Sequence, residues 1–264
     1  MRTLEPLPNA AFVLSFDFDG TLHDPASDPP VPPELFERLR EMRARHSAVW
    51  GINTGRSLPQ VMEGLVESRF PFLPDWVIAR EYEIFFPNTF GRFLPQSQWN
   101  DLAHHEIRSL FKRSRKVLER IRREIEEHTG AQWLEFEHEP AGIVARTDEE
   151  MDWITLRVAD LVADVADLGW QRNSIYMRFG HRGYQKGSSL GEVARRFRLG
   201  AAACFAIGDS HNDFEMLHPH HCGMAACPAN AVDEIKAVIE ENGGYLARQA
   251  HAEGVLEALR HYFP

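Results

Sequence analysis

The spacing of apolar and polar positions along this chain changes rhythm twice. In the first stretch, short apolar runs alternate with segments of helical period. The run "AFVLSFD" (11–17) is apolar with scarcely a break, which predicts a strand buried on both faces. In "PPELFERLREMRARH" (32–46) Leu35, Phe36, Leu39 and Met42 recur at helical spacing behind a proline, predicting a helix. "SAVWGINT" (47–54), "SLPQVMEGLVESRF" (57–70) and "DWVIAR" (75–80) continue as strand, helix and strand. Such alternation builds a parallel sheet with helical crossovers.

From residue 81 the rhythm differs. "YEIFFPNTFGRFLP" (82–95) sets an Asn and a Gly between two apolar-aromatic runs, predicting a hairpin. A long helix follows, with Leu110, Phe111, Leu118, Ile121 and Ile125 on one side. "AQWLEFEHEPAGIVART" (131–147) predicts a second hairpin around Pro140-Ala141-Gly142. A second helix carries Met151, Ile154, Val158, Leu161, Val165 and Leu168, and "WQRNSIYMRF" (170–179) alternates as one more strand. After "GHRGYQKG" the strand–helix rhythm returns to the end of the chain. The expected architecture is therefore an α/β core of residues 1–80 and 184–264, interrupted by an α+β insert at 81–183.

Composition narrows the function. A net charge of −10 over 264 residues argues against nucleic acid or an anionic membrane as main partner. No apolar run reaches the ~20 residues of a membrane span, and the opening "MRTLEPLPNA" has no signal-like apolar segment. Three cysteines make a disulfide framework untenable and point to a reducing cytoplasm. The basic run at 112–127 reads as a solvated helix face, because Arg120/Glu124, Arg122/Glu126 and Arg123/Glu127 are opposite charges four apart. His218, His220, His221 and Cys227 lack the paired spacing of a structural zinc site and read as a surface loop.

The chemistry gathers at strand ends. Asp17 and Asp19 leave the first strand and turn at Gly20, and "IGDSHND" (207–213) supplies Asp209 and Asp213 after another apolar strand. Carboxylates converging on the C-terminal edge of an α/β sheet form a hard oxygen site suited to Mg²⁺. "NTGRS" (53–57) offers the Thr54 hydroxyl and the Gly55 backbone at a helix N-terminus, and Lys186 adds a positive charge. "GYQKGSS" is no P-loop, since its lysine precedes the glycine. A divalent cation, a carboxylate nucleophile, a second carboxylate for proton transfer and donors for a phosphoryl group make one coherent set.

These pieces, "DFDGT", "NTGR", "QKG" and "GDSHND", resemble in order and spacing the motifs of haloacid-dehalogenase-superfamily phosphatases. The insert lies between the second and third motifs, as in the branch with an α+β cap (subfamily IIB, Cof-like and sucrose-phosphate-phosphatase-like). The tail "GYLARQAHAEGVLEALRHYF" is similar to the end of sucrose-phosphate-phosphatase-like members. The resemblance implies a Rossmann-like core and a cap, and hydrolysis of a small phosphorylated metabolite, a sugar phosphate foremost. It makes Asp17 the nucleophile and Asp19 the acid and base. Thr54, Gly55, Lys186 and Asn212 hold the phosphoryl group, and Asp17, the Asp19 backbone carbonyl and Asp209 ligate Mg²⁺, with Asp213 in or just outside that shell. Candidate substrate contacts are Arg56, Arg178, His181, Arg182 and Tyr184. Where sugar phosphatases of this branch often carry Asn-Gly at the start of the cap, this chain has "AREYEI". The rival readings are a phosphomutase of the same fold and a non-catalytic ligand-binding protein.

Overall fold

A computed structural model describes residues 8–136 and 139–264. The chain divides into two compact units, one running to Asn100 and resuming at Lys186, the other Asp101–Gln185.

The first unit is built on a sheet. β1 (Phe12–Phe16), α1 (Pro33–His46), β2 (Ala48–Asn53), α2 (Leu58–Glu67) and β3 (Trp76–Ala79) follow the predicted order. β4 (Glu83–Pro87) and β5 (Phe93–Pro95) come next, and then α3 (Ser97–His128) begins. After the second unit come α5 (Lys186–Arg196), β10 (Cys204–Ile207), α6 (Phe214–Leu217), β11 (Met224–Cys227), α7 (Asp233–Glu241), β12 (Tyr245–Leu246) and α8 (His251–Tyr262). The strands lie in the order β12-β11-β10-β1-β2-β3-β4-β5, parallel up to β3 and antiparallel at β4 and β5. Alternate residues of β1 feed two cores. Leu14 and Phe16 pack with Leu35, Leu39, Val61, Val255 and Leu259, whereas Val13 packs with Leu190, Val193, Ile235 and Ile239. Helices therefore cover both faces, as the unbroken apolar strands require.

Register sets the site. Phe16 pairs with Ile52 on one side and Ile207 on the other. Asp17, Asn53-Thr54 and Gly208-Asp209 consequently leave the sheet along the same edge, at its topological switch.

The second unit holds the rest of α3, then β6 (Gln132–Phe136), β7 (Glu139–Val144), α4 (Asp148–Val162), β8 (Leu168–Asn173) and β9 (Tyr176–His181). These strands form an antiparallel sheet, β6-β7-β9-β8. Its core joins Leu110, Leu118, Ile121 and Ile125 of α3 to Met151, Ile154 and Val158 of α4 and to Ile143, Met177 and Phe179 of the sheet. The α+β character of the insert is as expected.

Its boundary is not. The hairpin predicted for the insert, β4–β5, extends the core sheet, so the second unit begins at 101 and not at 81. The cause is the tight reversal at 80–82, which folds β4 back antiparallel onto the edge of β3, with β5 on its other side. Burial of Ile84 and Phe86 in the core cluster holds it there, with Phe86 edge-on to Phe197. The Asn100 side chain also brackets Ile84, accepting from its N–H at 2.9 Å and donating to its carbonyl at 3.0 Å. Pro140, Ala141 and Gly142, expected at a turn, belong to β7, and residues 137–138 before it lie outside the described residues. The single strand expected at 170–179 is a hairpin, β8–β9, turned at Ser174 with φ 49°. Helix α4 stops at Val162, so Leu168 opens β8.

Candidate active site

Asp17 is the first residue beyond β1 and is buried, as are Asp213 and Lys186. The Lys186 ammonium donates to Asp17 Oδ1 and to Asp213 Oδ1, each at 2.6 Å. Burial alone would lower the Lys186 pKa. The charges of Asp17, Asp213 and Glu81 outweigh it, and the lysine is held protonated well above its usual range. Burial pushes the Asp17 carboxyl well up, with Asp213 and Asp209 adding repulsion against the pull of Lys186. Asp209 is pushed up to about 6, by burial first and then by Asp213.

Asp213 is fixed from its own turn. Its Oδ2 accepts the backbone N–H groups of Asp209 and Ser210, both at 3.0 Å. Asp209 Oδ1 accepts from the Thr21 hydroxyl at 2.9 Å. Gly20, at φ 79°, faces the other side of that carboxylate, and an added Cβ would stand 2.9 Å from Asp209 Cγ and nearer still to Oδ2. Glycine is required there on both counts.

Among the described residues, one group of acidic, histidine or cysteine side chains converges closely enough to hold an ion, namely Asp17, Asp209 and Asp213. Their ligand atoms lie within 4.8 Å of one another. All are carboxylate oxygens, two of them with raised pKa in the absence of further positive charge. That donor set fits a hard divalent cation.

The remaining predicted residues are placed as follows. Thr54 is buried at the end of β2, its hydroxyl accepting from Arg56 N at 3.2 Å. Gly55 follows at the entry to α2, which Ser57 and Gln60 cap. Arg56 grips Asp19 with two bonds, Nε to Oδ2 at 2.8 Å and Nη2 to Oδ1 at 2.5 Å, and stacks over Phe18. The Asp19 side chain thus stands outside the carboxylate triad. Asn212 donates to Glu81 Oε1 at 3.1 Å. Arg178, His181, Arg182 and Tyr184 lie in the second unit, on β9 and just after it. His181 accepts from Gly183 N at 3.0 Å and meets the Tyr184 ring edge-on. Burial lowers the His181 pKa and raises that of Tyr184.

Sequence reasoning passed over several participants. Asn53, fully buried, donates to the Lys186 carbonyl at 2.9 Å and so ties β2 to the start of α5. Glu215 accepts from Gly187 N and Ser188 N, taking up the N-terminus of α5. By sequence Glu81 opens the insert, and the signal that marks it is an Arg-Glu pair set between two predicted strands. The histidines at 218, 220 and 221 line a surface depression with Phe214, Glu215 and Val238, with no convergent ligand set. On α3 the expected pairs Arg120–Glu124 and Arg122–Glu126 form, whereas Arg123 donates to the Glu119 carbonyl. Among the described residues no helix is long and apolar enough to cross a membrane.

A family model for haloacid dehalogenase-like hydrolases matches residues 99–259, more than half of the chain. This chain belongs to that family. The matched span holds Lys186, Asp209, Asn212 and Asp213, and the sheet register brings Asp17 and Thr54 to them. Two curated relatives, phosphoglycolate phosphatases of Methanoculleus marisnigri and Methanothermobacter thermautotrophicus, are 34% and 36% identical over 84 and 77 residues. Those alignments cover 31% and 29% of this chain, and the chain spans about a third (32%) of each relative's length. Among solved structures, a sucrose-phosphatase from Synechocystis, in complex with sucrose and phosphate, shares the fold with a TM-score of 0.71 at 17% identity. The superposition covers 96% of this chain and 98% of that one. The haloacid dehalogenase-like hydrolase yhjK from Bacillus subtilis matches at 0.64 and 15% identity, over 98% and 94% of the two chains.

Proposed function

We propose that this protein is a Mg²⁺-dependent phosphomonoester hydrolase acting through an aspartyl-phosphate on Asp17. One observation carries the reading: Asp17 is buried at a strand end, 2.6 Å from a buried lysine and within a carboxylate triad. Asp17, Asp209 and Asp213 are the residues to hold Mg²⁺, which when bound supplies positive charge for the phosphoryl oxygens. A carboxylate oxygen of Asp17 attacks phosphorus, and the bond from phosphorus to the ester oxygen breaks. Asp19, which exchanges its pairing with Arg56 for a proton before this step, gives that proton to the departing oxygen and later takes one from water, whose attack on phosphorus releases phosphate and restores Asp17. Before substrate enters, Arg56 sets the orientation of Asp19. Lys186, Thr54 and Gly55 offset the phosphoryl charge.

The substrate is a small phosphorylated metabolite. Sugar phosphates and phosphoglycolate are the candidates that the solved and curated relatives suggest. The buried, unbridged cysteines at 204, 222 and 227 support a reducing cytoplasm as its location. The test is phosphate release from a panel of phosphorylated metabolites by wild type and Asp17→Asn. The amide keeps the shape and loses both nucleophile and metal charge, so turnover should fall at least about a thousandfold. A folded variant that keeps a tenth of the activity would exclude Asp17 as nucleophile.

A further inference from the structure

The turn from β3 to β4 consists of Arg80, Glu81 and Tyr82, closed by Tyr82 N donating to the Ala79 carbonyl. Arg80 and Glu81 both have positive φ, 49° and 71°. Asn-Gly adopts that conformation readily, and long charged side chains adopt it only under strain. The turn is bound to the loop after β2, since Glu81 N donates to the Thr54 carbonyl at 2.9 Å and Arg80 N to the Arg56 carbonyl at 2.8 Å. The strained backbone delivers the Glu81 side chain into the site. Glu81 is only 5% exposed, its Oε1 accepts from Asn212, and a Cβ built on Gly55 would stand 3.5 Å from that same oxygen.

Beyond helping to keep Lys186 charged, phosphoryl transfer has no use for a carboxylate at this point. Thr54, Gly55, Asn212 and Lys186 are donors suited to an anion, and a further negative charge among them weakens anion binding. What a buried carboxylate can do is accept from a substrate hydroxyl and repel a second substrate anion.

We propose that Glu81 is a specificity-determining residue that favours leaving groups bearing hydroxyls and rejects those bearing a carboxylate beside the phosphate ester. This inference rests on the phosphatase reading above. Within it, polyol and sugar phosphates are accepted, whereas phosphoglycolate, whose carboxylate is one methylene from the ester oxygen, is not.

A matched pair tests it: 2-hydroxyethyl phosphate and phosphoglycolate, which differ in a hydroxymethyl against a carboxylate. With Mg²⁺ present, kcat/KM is measured on both, and on an aryl phosphate, for wild type, Glu81→Gln and Glu81→Gly. Glycine is unstrained at φ 71°, so the second variant guards against a misfolded first. For a variant that turns over too slowly, calorimetric dissociation constants in the Asp17→Asn background give the binding part of that preference. Wild type should favour the hydroxyl ester, and the preference should shrink at least about threefold in the variants, the scale of one selective contact. A wild type that prefers phosphoglycolate, or a ratio that moves less than that in both variants, overturns the role of Glu81. Failure of wild type on the aryl ester and on both others would instead overturn the phosphatase reading, and this inference with it.

Discussion

Gly20→Ala puts the metal cradle to a quantitative test. Gly20 sits at φ 79°, where an L residue pays about 1–2 kcal/mol. Its carbonyl accepts from Asn230 Nδ2 at 2.7 Å and from His251 Nδ1 at 3.0 Å, so the turn has little room to relax. The new methyl would stand 2.9 Å from Asp209 Cγ, which forces the carboxylate aside and breaks its bond from Thr21. Losing that bond to a mostly buried acceptor costs about 1–3 kcal/mol, and the reduced freedom of the unfolded chain returns about 0.4–1. The net is a loss of about 2–3 kcal/mol, or about 5–10 °C in Tm for a chain of this size. Gly243→Ala is the control. Its φ is 69°, but an added Cβ there meets nothing within 4 Å, so it carries the backbone cost alone. Thermal unfolding by circular dichroism and Mg²⁺ titration by calorimetry on both variants separate the two contributions. Mg²⁺ affinity should fall at least about tenfold in Gly20→Ala alone, since a displaced ligand is a lost ligand. Equal Tm and equal Mg²⁺ affinity in the two variants would refute the idea that Asp209 needs the space beside Gly20.

Lys186→Met should destabilise the chelated protein by about 3–5 kcal/mol, because it strands Asp17 and Asp213 without their buried partner. Urea unfolding should show part of that recovered by Mg²⁺, and a loss under about 1 kcal/mol would deny the lysine its structural share. The chelated wild type should lose stability as pH rises from near 4 to near 6. Asp209 has its carboxyl raised from 3.8 to about 6, so the folded state binds the extra proton across that window and gives up its advantage as the group ionises. Melting curves across that range in chelator, with Asp209→Asn as control, check the sign. Replacing Mg²⁺ by Ca²⁺ should suppress phosphate release while still raising Tm, as the larger ion takes the same oxygens in a looser shell.

Much of this molecule was legible from its sequence alone. The apolar run ending at Asp17, the run ending at Asp209 and the small polar exit of β2 each announce a buried strand followed by chemistry. That signal is local, because a strand buried on both faces must be apolar throughout and must shed its polar groups at its ends. The helical stripes of α1, α3 and α4 are local in the same way. Three facts belong to the tertiary structure. The β4–β5 hairpin has the same alternating pattern whichever sheet it joins, and only the open edge of β3 decided that it extends the core. The pairing of Arg56 with Asp19, residues 37 apart, depends on two strand exits lying side by side. Glu81 reads as an ordinary surface residue near a domain boundary until the reversal at Arg80 turns its carboxylate against Gly55 and Asn212. Side-chain direction at a strained turn follows from the backbone dihedrals and from bonds made to distant strands, and a linear pattern of polarity encodes neither.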